Sequence, residues 1–184
     1  MPRPVVLIAC LTVVVGCGQS TPRSASPRSP RAERAAFAHA PPPLAALHRQ
    51  ANRLLDGGPA GFEAQLRALR GYPVVVNKWA SWCPPCRAEF PLFQRESLRL
   101  AGQVAFIGVD SNDNDPAARR FLRRLPLTYP SYRDPKLGIA ASFHGVEAFP
   151  TTAFYDRSGR LRFVHLGYYA ARHTLAADVA RYAR

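Results

Sequence analysis

The stretch Val74-Val75-Val76-Asn77-Lys78-Trp79-Ala80-Ser81-Trp82-Cys83-Pro84-Pro85-Cys86-Arg87-Ala88-Glu89-Phe90 decides the fold. Its valine-rich opening predicts a buried β-strand. Past Pro84 and Pro85 it reads as a helix, because proline suits a first helical turn whose N–H groups lack intrahelical partners. Two cysteines therefore fall where a strand hands over to a helix. Cys83 faces the positive end of that helix, which favours thiolate over thiol. The two-residue spacing lets Cys83 and Cys86 close a small ring, the geometry of a reversible dithiol/disulfide couple.

A rival reading of the pair is half a zinc site. Structural zinc takes four N/S ligands, usually completed by a second Cys/His pair. The other cysteines, Cys10 and Cys17, lie far upstream, and His144, His165 and His173 lack a paired spacing. Redox chemistry is the preferred reading. A third reading is two buried structural cysteines, which the flanking tryptophans and prolines at a strand–helix junction disfavour.

The run Trp79 to Pro91 resembles the active site of the thioredoxin superfamily, and within it the TlpA/ResA-like extracytoplasmic thiol-disulfide oxidoreductases. A second block begins at Tyr132-Arg133-Asp134. It continues in Gly145-Val146-Glu147-Ala148-Phe149-Pro150-Thr151-Thr152-Ala153-Phe154-Tyr155-Asp156-Arg157-Ser158-Gly159-Arg160. This is similar to the family's stretch of cis-proline, strand and hairpin turn. The two motifs match in order, over about residues 62–184. The resemblance implies a thioredoxin-like α/β sandwich, a central mixed sheet flanked by helices, with the αβ insertion of the TlpA/ResA group. It also implies a disulfide reductase acting on exported proteins, as in cytochrome c maturation. The alternatives are a disulfide oxidase of secreted proteins and a copper-binding chaperone on the same scaffold. Copper-delivering relatives show a C-x-x-x-C pair, whereas the spacing here is C-x-x-C.

Composition bounds the partners. The chain has 184 residues and a net charge of +13. Such a charge suggests nucleic acid or an acidic surface. Yet Lys78 and Lys136 are the only lysines among the 25 basic residues. An arginine bias with many Ala and Pro reads as a coding-composition effect. The pairs Arg119-Arg120 and Arg123-Arg124 fall at i, i+4 spacing and predict a solvated helix face. No nucleic-acid partner is expected. The expected partners are protein thiols and disulfides, with a membrane electron donor or acceptor for recycling. A monomer is expected, with no cofactor or metal beyond the redox-active pair.

The N-terminus reads as a targeting signal. Arg3 gives a short positive region, and residues 5–15 form an apolar run too short to span a membrane stably. Val14-Val15-Gly16-Cys17 resembles a bacterial lipoprotein signal, with cleavage before Cys17 and lipid on its sulfur; the alternative is an ordinary secretory signal. Either places the domain outside the cytoplasm, in the cell envelope, where a dithiol must be actively kept reduced or oxidised. The expected division is 1–17 signal, 18–43 linker and 44–184 thioredoxin-like domain. The linker is rich in Ser, Pro, Arg and Ala and predicts disorder, since it buries too little to offset its ordering entropy.

Along the domain, Leu44, Leu47, Leu54 and Leu55 predict one amphipathic helix ending at Gly57-Gly58. Phe62, Leu66 and Leu69 predict a second. Strands are expected at 74–79, 104–109, 151–155 and 161–166, the last two joined by the hairpin signal Asp156-Arg157-Ser158-Gly159. Helices are expected at 84–100, with Pro91 inside it, at 117–125 and 137–143, and around Leu175, Val179 and Tyr182.

Roles follow from position. Cys83, nearer the exposed helix start, is the expected attacking thiolate, and Cys86, one turn inside, the resolving thiol. Trp82 reads equally as a cover over the pair or as surface. The resemblance implies that Pro150 is cis against the cysteines and that the Phe149 backbone pairs with an extended substrate; its absence would leave a trans proline opening an edge strand. It also implies that Glu89 tunes the dithiol, with a raised pKa if partly buried. The alternative is a surface glutamate paired with Arg87 or Arg95. Asn77 occupies the place of the buried aspartate of thioredoxins proper, which shifts weight to Glu89.

Overall fold

The computed structural model describes Met1 and residues 30–184. In chain order the elements are α1 (Pro30–Phe37), α2 (Pro42–His48), β1 (Leu54–Leu55), α3 (Gly58–Ala68), β2 (Val74–Trp79) and α4 (Pro84–Arg99). They continue with β3 (Ala105–Ser111), α5 (Asp115–Arg124), β4 (Ser131–Asp134), α6 (Gly138–Ser142), β5 (Thr151–Tyr155), β6 (Leu161–Leu166) and α7 (Arg172–Tyr182). The strands form one mixed sheet in the order β1-β4-β3-β2-β5-β6. β2 runs parallel to β3 and antiparallel to β5. A βαβ half therefore meets a ββα half, and helices cover both faces.

The period-two alternation of β2 decides which face each residue serves. Val75 and Trp79 point to the layer of Phe90, Phe93, Phe121, Leu175 and Val179, where α4, α5 and α7 pack. Val74 and Val76 point to Leu47, Phe62, Ile139 and Phe143, where α2, α3 and α6 pack. Each β2 residue is buried, as suits a central strand. Gly108 of β3 faces the Trp79 indole. A Cβ there would lie 2.9 Å from Trp79 Nε1 and 2.1 Å from Ser131 Oγ. Glycine thus clears the path by which Trp79 Nε1 donates to Ser131 Oγ at 3.1 Å.

Two expectations fail. Leu54 and Leu55 do not extend the helix of Leu44 and Leu47. They form β1, paired with Ser131 and Tyr132. Asn52 just before them has φ 61°, a left-handed conformation that ends the preceding turn. Amphipathic spacing across residues 44–55 was produced by two elements, each burying its own leucines. Second, residues 18–43 are not all linker. Pro30–Phe37 is helical, Glu33 is buried and lies 3.5 Å from His48 Nε2. Phe37 stacks on His48 with ring centroids 3.6 Å apart. The Phe37 ring and the Glu33 carboxylate help to anchor the segment, a signal too sparse in the sequence to outweigh its polar composition. The signal segment and Cys17 lie outside the described residues.

The expected αβ insertion is present as α5 followed by β4. Asn114 caps α5, its Oδ1 accepting from Ala117 N at 3.0 Å. The four arginines 119, 120, 123 and 124 are exposed.

Candidate active site

The site lies at the carboxyl end of β2. Cys83 is the N-cap of α4, and Pro84 and Pro85 begin the helix. Cys83 and Cys86 are joined by a disulfide, with Cα atoms 5.4 Å apart. Proline removes two amide donors beside the sulfur, so the first one available is Cys86 N, which donates to Cys83 Sγ at 3.2 Å. The anticipated contrast in exposure is small: Cys83 is 2% exposed and Cys86 0%. The two sulfurs differ in place instead. Cys83 sits at the positive helix end and Cys86 one turn inside.

Trp82 lies on the surface, 52% exposed, but is held there. Its Nε1 donates to Asn112 O at 2.8 Å, and its ring meets Phe149 at 4.8 Å. The Phe149–Pro150 peptide is cis. Trp82 and Phe149 thus form an aromatic surface beside the cysteines, contributed by the loop before α4 and the loop before β5.

Glu89 is fully buried, which removes the surface reading with Arg87 or Arg95. Asn77 Nδ2 donates to its Oε1 at 2.7 Å, and Tyr169 N donates to Oε2 at 2.9 Å. Neither partner is a cation. Burial pushes the Glu89 pKa up to about 8, against the smaller downward pull of the two hydrogen bonds. Asn77 and Glu89, linked in the sequence only by inference, form one buried pair between β2 and α4.

Three ionisable residues of the site escaped sequence reasoning. Lys78 is buried on the face of β2 opposite Asn77. Its ammonium donates to Gly145 O and, at 3.2 Å, to Val146 O, and sits 3.6 Å from the Phe149 ring centroid. Burial lowers its pKa to about 8, opposed by the charges of Asp134 and Glu147. One lysine in a valine-rich strand of an arginine-biased chain was the available signal. Asp110 ends β3 opposite Trp79. Burial, and then the neighbouring Asp113 carboxylate, push its pKa up to about 9. Asp113 in turn accepts from Ser81 N at 2.5 Å. The loop after β3 therefore grips the cysteine loop twice, through Asp113 on Ser81 and Asn112 on Trp82.

A redox pair at a strand–helix junction, with a cis-proline loop whose Phe149 meets Trp82, on a mixed sheet, defines a protein of the thioredoxin superfamily. A family model described as Redoxin matches residues 50–179, more than half of the chain, and the chain belongs to that family. It is similar to the thioredoxin-like protein YneN of Bacillus subtilis strain 168, 32% identical over 111 residues, covering 59% of this chain and 64% of that one. It is also similar to the thiol-disulfide oxidoreductase ResA of Halalkalibacterium halodurans, 32% identical over 108 residues, covering 58% and 61%. Among solved structures, it resembles a secreted Mycobacterium tuberculosis disulfide oxidoreductase homologous to Escherichia coli DsbE. The TM-score there is 0.56 at 25% identity, covering 62% of this chain and 85% of that one. The alignments to both curated relatives span just under two thirds of those relatives' own length. Among the described residues, no helix is long and apolar enough to cross a membrane.

Proposed function

We propose that this protein is an extracytoplasmic thiol-disulfide oxidoreductase that reduces disulfides of exported proteins, as in cytochrome c maturation. The observation that carries the reading is the Cys83–Cys86 disulfide at the start of α4, in a chain with the cis Phe149–Pro150 bond. In the reductive direction the Cys83 thiolate attacks one sulfur of the substrate disulfide. A mixed disulfide forms and a substrate thiolate leaves. The Cys86 thiol, on losing its proton, attacks Cys83 Sγ, closes the Cys83–Cys86 disulfide and releases the second substrate thiolate. Two electrons pass to the substrate, and the two enzyme thiols give up their protons to solvent or to the departing sulfurs.

Several features support this assignment. The helix start stabilises negative charge on Cys83. The absent amides of Pro84 and Pro85 limit that stabilisation, and Glu89 limits it further once it ionises above about 8, which favours a reductant. Glu89 is the group suited to hold or pass a proton near Cys86. Trp82 and Phe149 supply the apolar surface on which a substrate segment rests, with the Phe149 backbone before Pro150 as its pairing edge. A lipid on Cys17 would tether the domain to the envelope membrane, where a membrane electron carrier would recycle the pair.

Thiol alkylation and mass measurement test the core of this reading. Mild oxidation is expected to protect both cysteines, and Cys83→Ser to abolish exchange. Cys86→Ser is expected to trap mixed disulfides with substrate. Thiols that stay free after oxidation, or an adduct trapped on Cys86 in place of Cys83, would overturn it.

A further inference from the structure

A groove of about 390 Å³ opens beside the cysteine loop, between the start of α4 and the outer face of α5. Its walls carry three guanidiniums, Arg87, Arg120 and Arg124, over the apolar Phe121 and Leu125. Among the described residues, no carboxylate lines it. This sets it apart from two neighbouring arginines, one on the same helix and one on β4. Arg119 is paired with Asp115 at 3.6 Å, and Arg133 with both Asp115 and Asp56. Arg87 also lies 5.8 Å from the Phe121 ring centroid.

The groove borders the cysteine loop on both sides of Cys83 in sequence. Ser81, on its wall, precedes Cys83 by two residues. Arg87 is one helical turn past Cys83, and its amide donates to Cys83 O at 3.3 Å. A chain lying over Phe121 and Leu125 would thus run toward the cysteine loop. Uncompensated positive charge above an apolar floor suits an extended segment that alternates carboxylates with apolar side chains. It suits a basic or strongly hydrated neutral segment poorly, by like-charge repulsion in the first case and lack of partners in the second.

We propose that this groove docks an acidic segment of the partner protein next to its reacting cysteine, and so selects substrates by the charge around their disulfide. The inference rests on the exchange activity proposed above and names its substrate class. It gives Arg120 and Arg124 a role that their exposure alone had not suggested.

The test uses the reduced protein and three disulfide-linked peptide dimers, with each cysteine flanked by Asp, Ser or Arg. Acidic flanks raise the pKa of the leaving thiol, which by itself slows exchange. Faster reduction of the Asp peptide therefore reports docking. The Asp peptide is expected to react about tenfold faster than the Ser peptide at low salt, at the lower end of what electrostatic steering supplies. The advantage is expected to collapse at high salt. Replacing both groove arginines, Arg120→Gln with Arg124→Gln, is expected to remove most of it. Arg160→Gln with Arg162→Gln takes away the same charge at the far end of β5 and β6, where both arginines face Asp156. That pair is expected to leave the Asp-to-Ser ratio unchanged. Equal rates for the Asp and Ser peptides would overturn the docking proposal and leave the exchange activity standing. An equal drop in both double variants would assign the preference to the net charge of the protein and overturn the groove. No exchange with any of the three would overturn the activity itself.

Discussion

Glu89 and Glu96 lie two turns apart on α4, and both are fully buried. They are kept in different ways. Glu96 is in an ion pair with Arg99, whose Nε donates to both its carboxylate oxygens at 3.1 Å. Glu89 has only the Asn77 amide and the Tyr169 N–H. The same contrast divides the molecule. Near the cysteines, Glu89, Asp110 and Lys78 are buried without a direct salt bridge, and burial dominates all three pKa shifts. Farther along the sheet, the buried Asp134 carboxylate is fully served. Asp134 accepts from Ser111 Oγ at 2.8 Å, Ile139 N at 2.9 Å and Ala140 N at 3.0 Å, and so anchors the start of α6. A carboxylate given a cation or several donors acts as structure. One given only two neutral donors is left free to change its protonation with the chemistry beside it.

The largest expected effect is on stability against pH. Glu89 has its pKa raised from 4.5 to about 8, so between those values the native state holds a proton that the unfolded chain has lost. Stability contributed this way is complete below the lower value and falls as pH rises through the window. Each pH unit is worth about 1.4 kcal/mol per group, or several kcal/mol across the window. Asp110 acts in the same sense from 3.8 to about 9. Lys78 acts in the opposite sense. Its pKa is lowered from 10.5 to about 8, so stability is recovered as pH rises between them. Urea denaturation of the oxidised protein from pH 4 to 10 is expected to show a fall and then a flattening. Glu89→Gln, which imitates the protonated acid, is expected to make the fall shallower. An unchanged slope in that variant would break the contrast between the two glutamates.

Next in size are the groups that serve as structure. Asp134→Ala leaves one hydroxyl and two buried amides without their acceptor, and is expected to cost about 3 kcal/mol. Arg99→Met leaves Glu96 buried without its cation, at a similar cost. Neither is expected to move the pH profile of Cys83 alkylation. A smaller effect is expected of Lys78→Met, which keeps the apolar stem but releases the carbonyls of Gly145 and Val146 and the ring of Phe149. KM for a peptide disulfide is expected to rise about fivefold, roughly 1 kcal/mol, with kcat little changed. An equal fall in kcat would place Lys78 in the chemistry instead of in the placement of the loop.

Most of the fold was legible because β2, β3 and β5 are largely apolar runs and α4 and α5 begin at proline and a capped turn. β2, β5 and β6 fall on the expected residues. What escaped was set by long-range contact. β1 has two residues and exists only through β4. α1 is held by contacts with distant residues, among them the stack of Phe37 on His48 and the approach of Glu33 to the same ring. At the site, the cysteines and the proline stood out as a motif. Asn77 with Glu89 needed the resemblance, since nothing local brings residues 77 and 89 together. Lys78 and Asp110 look ordinary in sequence. Their importance comes from burial, which period-two alternation implies for Lys78 but which no local pattern supplies for an aspartate at a strand end.

The smallest expected effect tests the comparison most directly. Glu96→Gln removes the charge from a buried side chain whose partner, Arg99, is half exposed. The guanidinium freed by this change turns to water, so no charge is left buried. The glutamine oxygen still accepts one hydrogen bond. The loss is therefore only the screened part of one ion pair, about 1 kcal/mol or less. The reverse cut, Arg99→Met, strands the carboxylate and costs more, so the two variants are expected to differ although they break the same pair. Both belong in the same alkylation assay as Glu89→Gln. Superimposable pH profiles for wild type and Glu96→Gln, beside a shifted one for Glu89→Gln, would fix the tuning role to the turn next to Cys86. A shift of similar size in Glu96→Gln would mean that any charge buried in α4 reaches the sulfur, and that the neutral partners of Glu89 give it no special standing.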